Sequence, residues 1–195
     1  MRRTIVLLAT MALTLLVASG VALAVTKIGG PGPDTLRGTN GDDNLLGEGG
    51  NDLLFALRGQ DYLLGGPGKD VVAGGNKPRP LGGNKNLLGG PGNDGVFGGN
   101  GSYILVGADG NDWLADHQRK SDKAVGAEGG DVIDVATRPA FKDVVVCGTG
   151  FDRVLADRED VVASDCEKVS VGDAEKFYES IPESFFEDLH PDLSG

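Results

Sequence analysis

Residues 29–73 consist of five consecutive nonapeptides: GGPGPDTLR, GTNGDDNLL, GEGGNDLLF, ALRGQDYLL and GGPGKDVVA. In every block position 4 is glycine, position 6 is aspartate and position 8 is leucine or valine. Position 1 is glycine in all but the fourth block, which begins with Ala56. The position-6 residues are Asp34, Asp43, Asp52, Asp61 and Asp70. A register that holds without a gap through five blocks indicates a structural repeat and not a chance motif.

A second array of three blocks, GGPGNDGVF, GGNGSYILV and GADGNDWLA, follows at residues 89–115. Asp94 and Asp112 occupy position 6 of its outer blocks, whereas Tyr103 replaces the aspartate of the middle block. Because tyrosine offers no carboxylate, we expect a site at Tyr103 to be missing or altered. Degenerate copies at residues 126–134 and 147–155 add two further candidates, Asp131 and Asp152.

The residue types at these fixed positions predict a solenoid with cation-binding turns. Glycine lets the backbone adopt positive φ and turn tightly, which leaves carbonyl groups free to point inward. Position 8 faces opposite to positions 7 and 9 in a three-residue strand, so the aliphatic side chains stack into a narrow core. One aspartate per repeat gives a column of carboxylates, which suits calcium because this hard ion takes six to eight oxygen ligands. A metal-free solenoid with Gly/Asp turns is the alternative, and aspartate at seven of the eight position-6 sites favours calcium.

The repeats resemble the hemolysin-type, or RTX, calcium-binding family, whose nonapeptide reads G-G-x-G-x-D-x-U-x. The blocks GGPGPDTLR and GGPGKDVVA match every specified position. The resemblance implies an all-β fold, a parallel β-roll in which six residues form a calcium-binding turn and three form a short strand. Two nonapeptides complete one turn, so alternate aspartates share an edge. The Ca²⁺ ligands implied are Asp34, Asp52 and Asp70 on one edge, Asp43 and Asp61 on the other, and Asp94 with Asp112 together on one edge.

The composition excludes some classes of function. Glycine supplies 33 of the 195 residues, aromatic residues 6%, and the formal net charge is −11. Such an acidic chain lacks the basic face of a nucleic-acid-binding protein, so we expect no nucleic-acid partner. A glycine-rich repeat, a disordered chain and a cation binder all fit these figures, and the spacing of the glycines and aspartates favours a cation-binding repeat.

Residues 1–24 have the order of a secretory signal peptide. Arg2 and Arg3 precede a long uncharged apolar run, and Ala22-Leu23-Ala24 offers the small-residue exit of a cleavage site. We expect cleavage after Ala24, a short linker over residues 25–28, and a secreted protein with no membrane association after cleavage. The alternative is a retained membrane anchor, because the uncharged run is long enough to span a bilayer.

Two segments interrupt the repeats. Residues 74–88 form shortened, degenerate repeats without position-6 aspartates and carry Lys77, Arg79 and Lys85. A basic side chain could replace calcium there or bind an anionic partner, but we favour a calcium-free turn or bulging loop. Residues 116–125, DHQRKSDKAV, predict a solvated charged loop within the second array, which we extend over residues 89–134 and which is degenerate after residue 115.

Residues 135–172 combine apolar, β-branched runs with charged turns, which predicts short strands that cap the end of the roll. Cys147 and Cys166 are the only cysteines, an even count in an exported chain, so we expect a disulfide that staples this cap. Zinc is disfavoured because neither of the two histidines lies at a ligand spacing. Residues 173–195 form an acidic tail that could dock on the roll.

The sequence favours a binding protein over an enzyme. The chain has no G-x-S-x-G or H-E-x-x-H motif, so we expect no catalytic activity. We expect a secreted protein whose β-roll is folded and stabilised by Ca²⁺, because metal-binding energy is folding energy. The alternative is a constitutive cell-surface or matrix adhesive element in which calcium is purely structural. No sequence feature identifies a protein or polysaccharide partner.

Overall fold

The structure is a computed structural model that describes residues 23–75, 84–99, 101–117, 120–137, 140–172 and 174–185. Residues 1–22 of the predicted signal peptide lie outside the described residues, as do Lys77, Arg79 and the end of the acidic tail. Within the described ranges, no helix has both the length and the apolar character needed to cross a membrane.

Short parallel strands alternate between two eight-stranded sheets. Sheet A contains β1 (Thr26–Ile28), β3 (Asn44–Leu46), β5 (Tyr62–Leu64), β7 (Asn84–Pro91), β9 (Ser102–Asp109), β11 (Lys123–Glu128), β13 (Val144–Thr149) and β15 (Val161–Val162). Sheet B contains β2 (Thr35–Arg37), β4 (Leu53–Phe55), β6 (Val71–Gly75), β8 (Gly95–Gly99), β10 (Trp113–Ala115), β12 (Val132–Asp134), β14 (Arg153–Ala156) and β16 (Lys168–Val171). Successive repeats therefore supply opposite sheets, which confirms the predicted all-β parallel β-roll.

The core lies between the two sheets and consists mainly of the position-8 side chains. These side chains stack in register along each sheet, as Leu45 does on Leu63 and Leu54 on Val72. The buried members of the stack are Leu36, Leu45, Leu54, Leu63, Val72, Leu87, Val96, Leu105 and Leu114. A core only one side chain deep holds aliphatic residues readily, which explains the low aromatic content.

The turns need glycine where one coil stacks closely on the next. Gly50, at position 4 of its repeat, has a φ of 114°, a conformation that favours glycine. An added Cβ there would also lie 2.5 Å from the carbonyl carbon of Gly32 in the preceding coil. Position 2 also takes positive φ but tolerates side chains, as at Glu48 (76°) and Leu57 (74°). Position 4 is therefore the stricter requirement of the repeat.

Both interruptions are single lengthened coils. Residues 74–88, predicted as shortened repeats, contribute one strand to sheet A, and Asp70 hydrogen-bonds to Asp94 across 24 residues instead of the usual 18. The prediction of a solvated loop over residues 116–125 is wrong, because β11 begins at Lys123 and Ala124 enters the core. Insertions in the turns lengthen these coils without breaking the sheets.

The region predicted as a cap, residues 135–172, continues both sheets with the last strands of the roll. The predicted disulfide between Cys147 and Cys166 is present, and Cys147 lies in the core cluster. It joins strand β13 to the turn that precedes β16, and so fixes the final coil.

A short helix, α1 (Ala174–Glu179), covers part of the outer face of sheet B. Phe177 is fully buried there in a cluster with Leu155. The hydroxyl of Tyr178 donates a hydrogen bond to the carboxylate of Asp134 at the end of β12. The beginning of the acidic tail therefore docks on the roll.

Candidate calcium sites

In each repeat, the residue at position 6 directly precedes the three residues that pair with the next strand of the sheet. These position-6 residues stack on one another from coil to coil and form two columns, one at each edge of the roll. Column B, beside sheet B, contains Asp34, Asp52, Asp70, Asp94, Asp112, Asp131 and Asp152. Column A, beside sheet A, contains Asp43, Asp61, Lys85, Tyr103, Asp122, Asp143 and Asp160. The structure therefore places the seven predicted ligands on the edges that the two-repeat turn implies.

One carboxylate oxygen of each column B aspartate from Asp52 onward ties two coils together, whereas the carboxylate of Asp34 accepts the N–H of Gly30 in its own turn. Oδ1 of Asp52 accepts the backbone N–H of Asp34 at 2.8 Å, and Oδ1 of Asp70 accepts that of Asp52 at 2.8 Å. The same contact recurs in every coil up to the backbone N–H of Asp152, which donates to Glu167 at 2.9 Å. This ladder holds each carboxylate in one orientation and leaves its second oxygen available.

The second oxygen, Oδ2, is buried and lacks a hydrogen-bond partner among the described residues in six successive coils. These residues are Asp52, Asp70, Asp94, Asp112, Asp131 and Asp152. Removing a carboxylate oxygen from water without a partner is costly, so native proteins pair such groups or place them on a metal ion. Six in a row at equivalent positions indicate a repeated ligand.

Burial opposes the negative charge of this column. It raises the pKa of Asp94 and of Asp112 to about 8, and the adjacent carboxylates act in the same direction. It also raises the pKa of Asp131 to about 7 and that of Asp70 to about 6. Asp94 and Asp112 are therefore mainly protonated at neutral pH unless a cation supplies positive charge. Column B therefore has the electrostatics of a cation site.

The position-1 glycines keep open the space in front of these oxygens. An added Cβ at Gly47 would lie 2.3 Å from Oδ2 of Asp52 and 2.3 Å from the carbonyl oxygen of Gly65 in the next coil. At Gly65 the equivalent distances are 2.3 Å to Oδ2 of Asp70 and 2.7 Å to the carbonyl oxygen of Gly89. Carboxylate and carbonyl oxygens thus converge on a space that only glycine leaves free. This donor set fits Ca²⁺, which prefers carboxylate and carbonyl oxygens.

Comparison with known families identifies the repeats. The family model for the RTX calcium-binding nonapeptide repeat, in its four-copy form, matches residues 28–63, 47–76 and 82–114. The repeats within these segments match that family. No curated protein matches the chain. The matched segments contain all seven predicted ligands, and the β-roll continues beyond them to β16.

Column A of the roll differs from column B at its centre. Nζ of Lys85 lies 2.8 Å from Oδ2 of Asp61, and both side chains are buried. The next residue of the column, Tyr103, fills its position with a buried ring, and burial raises the pKa of its hydroxyl. Beside it, Oδ2 of Asp116 approaches Gly98, where an added Cβ would lie 2.0 Å from that oxygen. Column A is therefore interrupted where column B is continuous.

Sequence reasoning missed several carboxylates that complete the columns. Asp122, Asp143 and Asp160 extend column A, and Glu167 ends column B. Burial raises the pKa of Asp122 and of Asp143 to about 7. The sequence does contain a sign of these positions. DKAV at residues 122–125 and DVVV at residues 143–146 keep the second half of the repeat, an aspartate followed two positions later by an aliphatic residue. The glycine spacing in front of them is lost, and this concealed the register.

One other group of potential metal ligands lies near the end of the roll. Ligand atoms of Cys147, Asp165 and Cys166 lie within 4.8 Å of one another. The two sulfur atoms are bonded to each other as a disulfide, so neither is a thiolate able to hold a metal ion. This group is structural.

Proposed function

We propose that this protein is a secreted calcium-binding protein whose RTX roll is folded and stabilised by Ca²⁺ held along column B. The observation that carries the proposal is the run of six buried Oδ2 atoms without a hydrogen-bond partner among the described residues. These oxygens, together with carbonyl oxygens of the adjoining turns, would hold the ions. Calcium would supply the positive charge that the buried column needs.

Calcium binding and folding are coupled in this proposal, because the column exists only when successive coils are stacked. Asp52 and Asp70, for example, lie 18 residues apart in sequence and meet only through the roll. An ion that binds the stacked form and not the unfolded chain stabilises the roll as its concentration rises. The net charge of −11 adds to this dependence, since an acidic chain without counterions repels itself.

Export of the chain has one support besides the predicted signal peptide. The Cys147–Cys166 disulfide suits an oxidising compartment outside the cytosol. Cleavage after Ala24 would turn the backbone nitrogen of Val25 into an α-ammonium group. Because that nitrogen lies 2.8 Å from Oδ1 of Asp43, the mature N-terminus would pair with the first carboxylate of column A.

The proposed role is binding and structural, not catalytic. RTX repeat rolls are typically structural rather than enzymatic. The carboxylates of Asp94 and Asp112 are fully buried, so they are closed to a substrate molecule and suited only to a small ion.

Far-UV circular dichroism tests the proposal directly. The protein is measured in calcium, then in excess chelator, and then in magnesium, which demands stricter octahedral geometry and serves as the control cation. We expect a strong β-sheet spectrum in calcium, its loss in chelator and incomplete recovery in magnesium. A chain equally folded in calcium and in chelator would contradict the proposal and would favour a constitutive structural or adhesive element.

A further inference from the structure

Lys85 lies at a position of column A that aspartate occupies in most other coils. Its backbone stacks between Asp61 and Tyr103 in column A, since Tyr62 pairs with Asn86 and Lys85 pairs with Tyr103. The side chain is only 2% exposed, although lysine is almost never fully buried without a partner. A buried ammonium group at this place therefore has a specific role.

Three oxygen atoms surround the ammonium nitrogen. Nζ of Lys85 lies 2.8 Å from Oδ2 of Asp61, and it donates hydrogen bonds to the carbonyl oxygens of Gly74 at 2.6 Å and Leu57 at 2.9 Å. Two of the three ammonium donors thus have carbonyl acceptors, and the carboxylate of Asp61 lies at ion-pair distance. The charge is paired with a carboxylate and hydrogen-bonded to two carbonyl oxygens.

The surrounding atoms are of the kind that column B offers to calcium. In each case an Oδ2 atom of a position-6 aspartate converges with a turn carbonyl oxygen of the next coil, as Asp52 does with Gly65 and Asp61 does with Gly74. At Asp61 the cation within that arrangement belongs to the protein itself. Oδ2 of Asp61 is consequently the one column oxygen of the first array with an ion-pair partner among the described residues.

A second feature of the same repeat agrees with this assignment. Asp61 belongs to the block ALRGQDYLL, the only block of the first array whose position 1 is not glycine. Elsewhere the position-1 glycine keeps open the space in front of Oδ2, as Gly38 does for Asp43 at 2.6 Å. Ala56 is fully buried and places a methyl group at that position. In this repeat Ala56 therefore fills the space in front of Oδ2 of Asp61, and the ammonium group of Lys85 is the partner of that oxygen.

We propose that the ammonium group of Lys85 replaces one calcium ion of the roll, so that Asp61 binds Lys85 and no calcium. This inference rests on the proposed calcium function and refines it. The ammonium group of Lys85 joins the coil of Asp61 to the lengthened coil that links the two arrays, so this junction of the folded roll needs no calcium ion of its own. Column B then binds calcium without a break, whereas column A is divided into two parts.

The test restores a calcium site by substitution. The double variant Ala56→Gly with Lys85→Asp recreates the glycine and carboxylate of column B, and it should bind one more calcium ion per chain than the wild type in a calorimetric titration. The control, Ala56→Gly with Lys142→Asp, makes the same charge change at an exposed lysine and should keep the wild-type count. Lys85→Met should keep that count but require about tenfold more calcium for folding, because it leaves Asp61 unpaired.

Amine acetylation in saturating calcium tests the same assignment on the wild-type protein. Mass spectrometry should find Lys85 modified at least about tenfold more slowly than Lys142, because buried groups react only through local opening. If the double variant does not fold, the acetylation rate of Lys85 in the wild-type protein is the deciding result for the lysine inference. Unprotected Lys85, or a folded double variant that gains no ion, would overturn the lysine inference and leave calcium binding intact. A wild-type chain that binds no calcium would instead overturn the proposed function.

Discussion

Asparagine in place of Asp94 should weaken the calcium-loaded roll and strengthen the calcium-free one. Asp94 lies in the middle of column B and is fully buried. Its Oδ1 atom accepts the N–H of Asp70 at 2.8 Å, whereas Oδ2 has no hydrogen-bond partner among the described residues. Asparagine keeps the first contact, because its amide oxygen accepts the same hydrogen bond, but it removes the charge that would bind calcium.

The magnitude follows from the electrostatics of the buried carboxyl group. Burial raises the pKa of Asp94 from 3.8 to about 8. Without calcium this shift costs the folded state about 4 kcal/mol at pH 7, since a tenfold change in proton affinity corresponds to about 1.4 kcal/mol. The new buried amide group offsets about 1–3 kcal/mol of the gain. We therefore expect Asp94→Asn to raise the unfolding free energy of the calcium-free roll by about 1–3 kcal/mol, and to lower the calcium count by at least one.

Urea unfolding at pH 7, followed by circular dichroism, measures both effects. One series contains saturating calcium, and the other contains chelator with an osmolyte that keeps the calcium-free roll folded. Asp42→Asn is the matched control, because the exposed Asp42 also accepts a backbone N–H from another coil, that of Gln60 at 2.8 Å, but lies outside both columns. The control should leave the calcium count unchanged.

Equal destabilisation of the Asp94→Asn variant in calcium and in chelator, with a wild-type calcium count, would refute this expectation. Such a result would mean that the carboxylate of Asp94 acts only as a hydrogen-bond acceptor for the backbone of the preceding coil.

Three further predictions concern pH, the turns and the disulfide. Burial raises the pKa of the column B carboxyls above the unfolded value of 3.8, so the folded state without calcium binds more protons between that pH and the folded pKa values of about 6 to 8. Its stability should be greatest in acid and should fall as the pH rises from about 4 to about 8, as acid-to-neutral titrations in chelator can show. Gly47→Ala should lower the calcium count and the melting temperature in calcium, whereas Gly32→Ala, with no atom within 4 Å of the added Cβ, should change the calcium count little. Reduction of the Cys147–Cys166 disulfide, which closes a loop of 19 residues, should lower the unfolding free energy by about 3 kcal/mol in calcium, and an unchanged urea midpoint would count against its role as a staple.

The first array could be predicted closely because its spacing is constant. Asp34, Asp52 and Asp70 recur at intervals of 18 residues, and this interval directly gives the stacking of one coil on the next. The aliphatic residues two positions later follow the same interval, so the core and the edge were predicted together. Because each repeat of a solenoid contacts mainly the repeats stacked on it, the same spacing predicts both the local turns and the contacts between residues distant in sequence.

Beyond residue 115 the prediction kept the column B positions Asp131 and Asp152 but missed those of column A, although the fold did not change. Asp122 and Asp143 hydrogen-bond across 21 residues, and Asp112 and Asp131 across 19. Turns at the edge of a solenoid accept additional residues at little cost, because the strands on either side still pair. Variable intervals therefore hide a column that the structure keeps intact.

The role of Lys85 could be stated from the sequence only as one of several alternatives. The interval between the arrays contains three basic residues, and nothing in their order shows which of them enters the roll. The answer depends on the length of one coil, which brings Lys85 level with Asp61 and Tyr103. Contacts of this kind arise from stacking and have no local sequence signature.

The most direct test of calcium binding along column B is a calorimetric titration of the calcium-free protein with calcium, monitored in parallel by circular dichroism. We predict several calcium ions per chain, bound as the β-sheet spectrum appears. A count of one or none, or binding without any change in the spectrum, would contradict the conclusion that the buried aspartates of this roll are the calcium ligands that fold it.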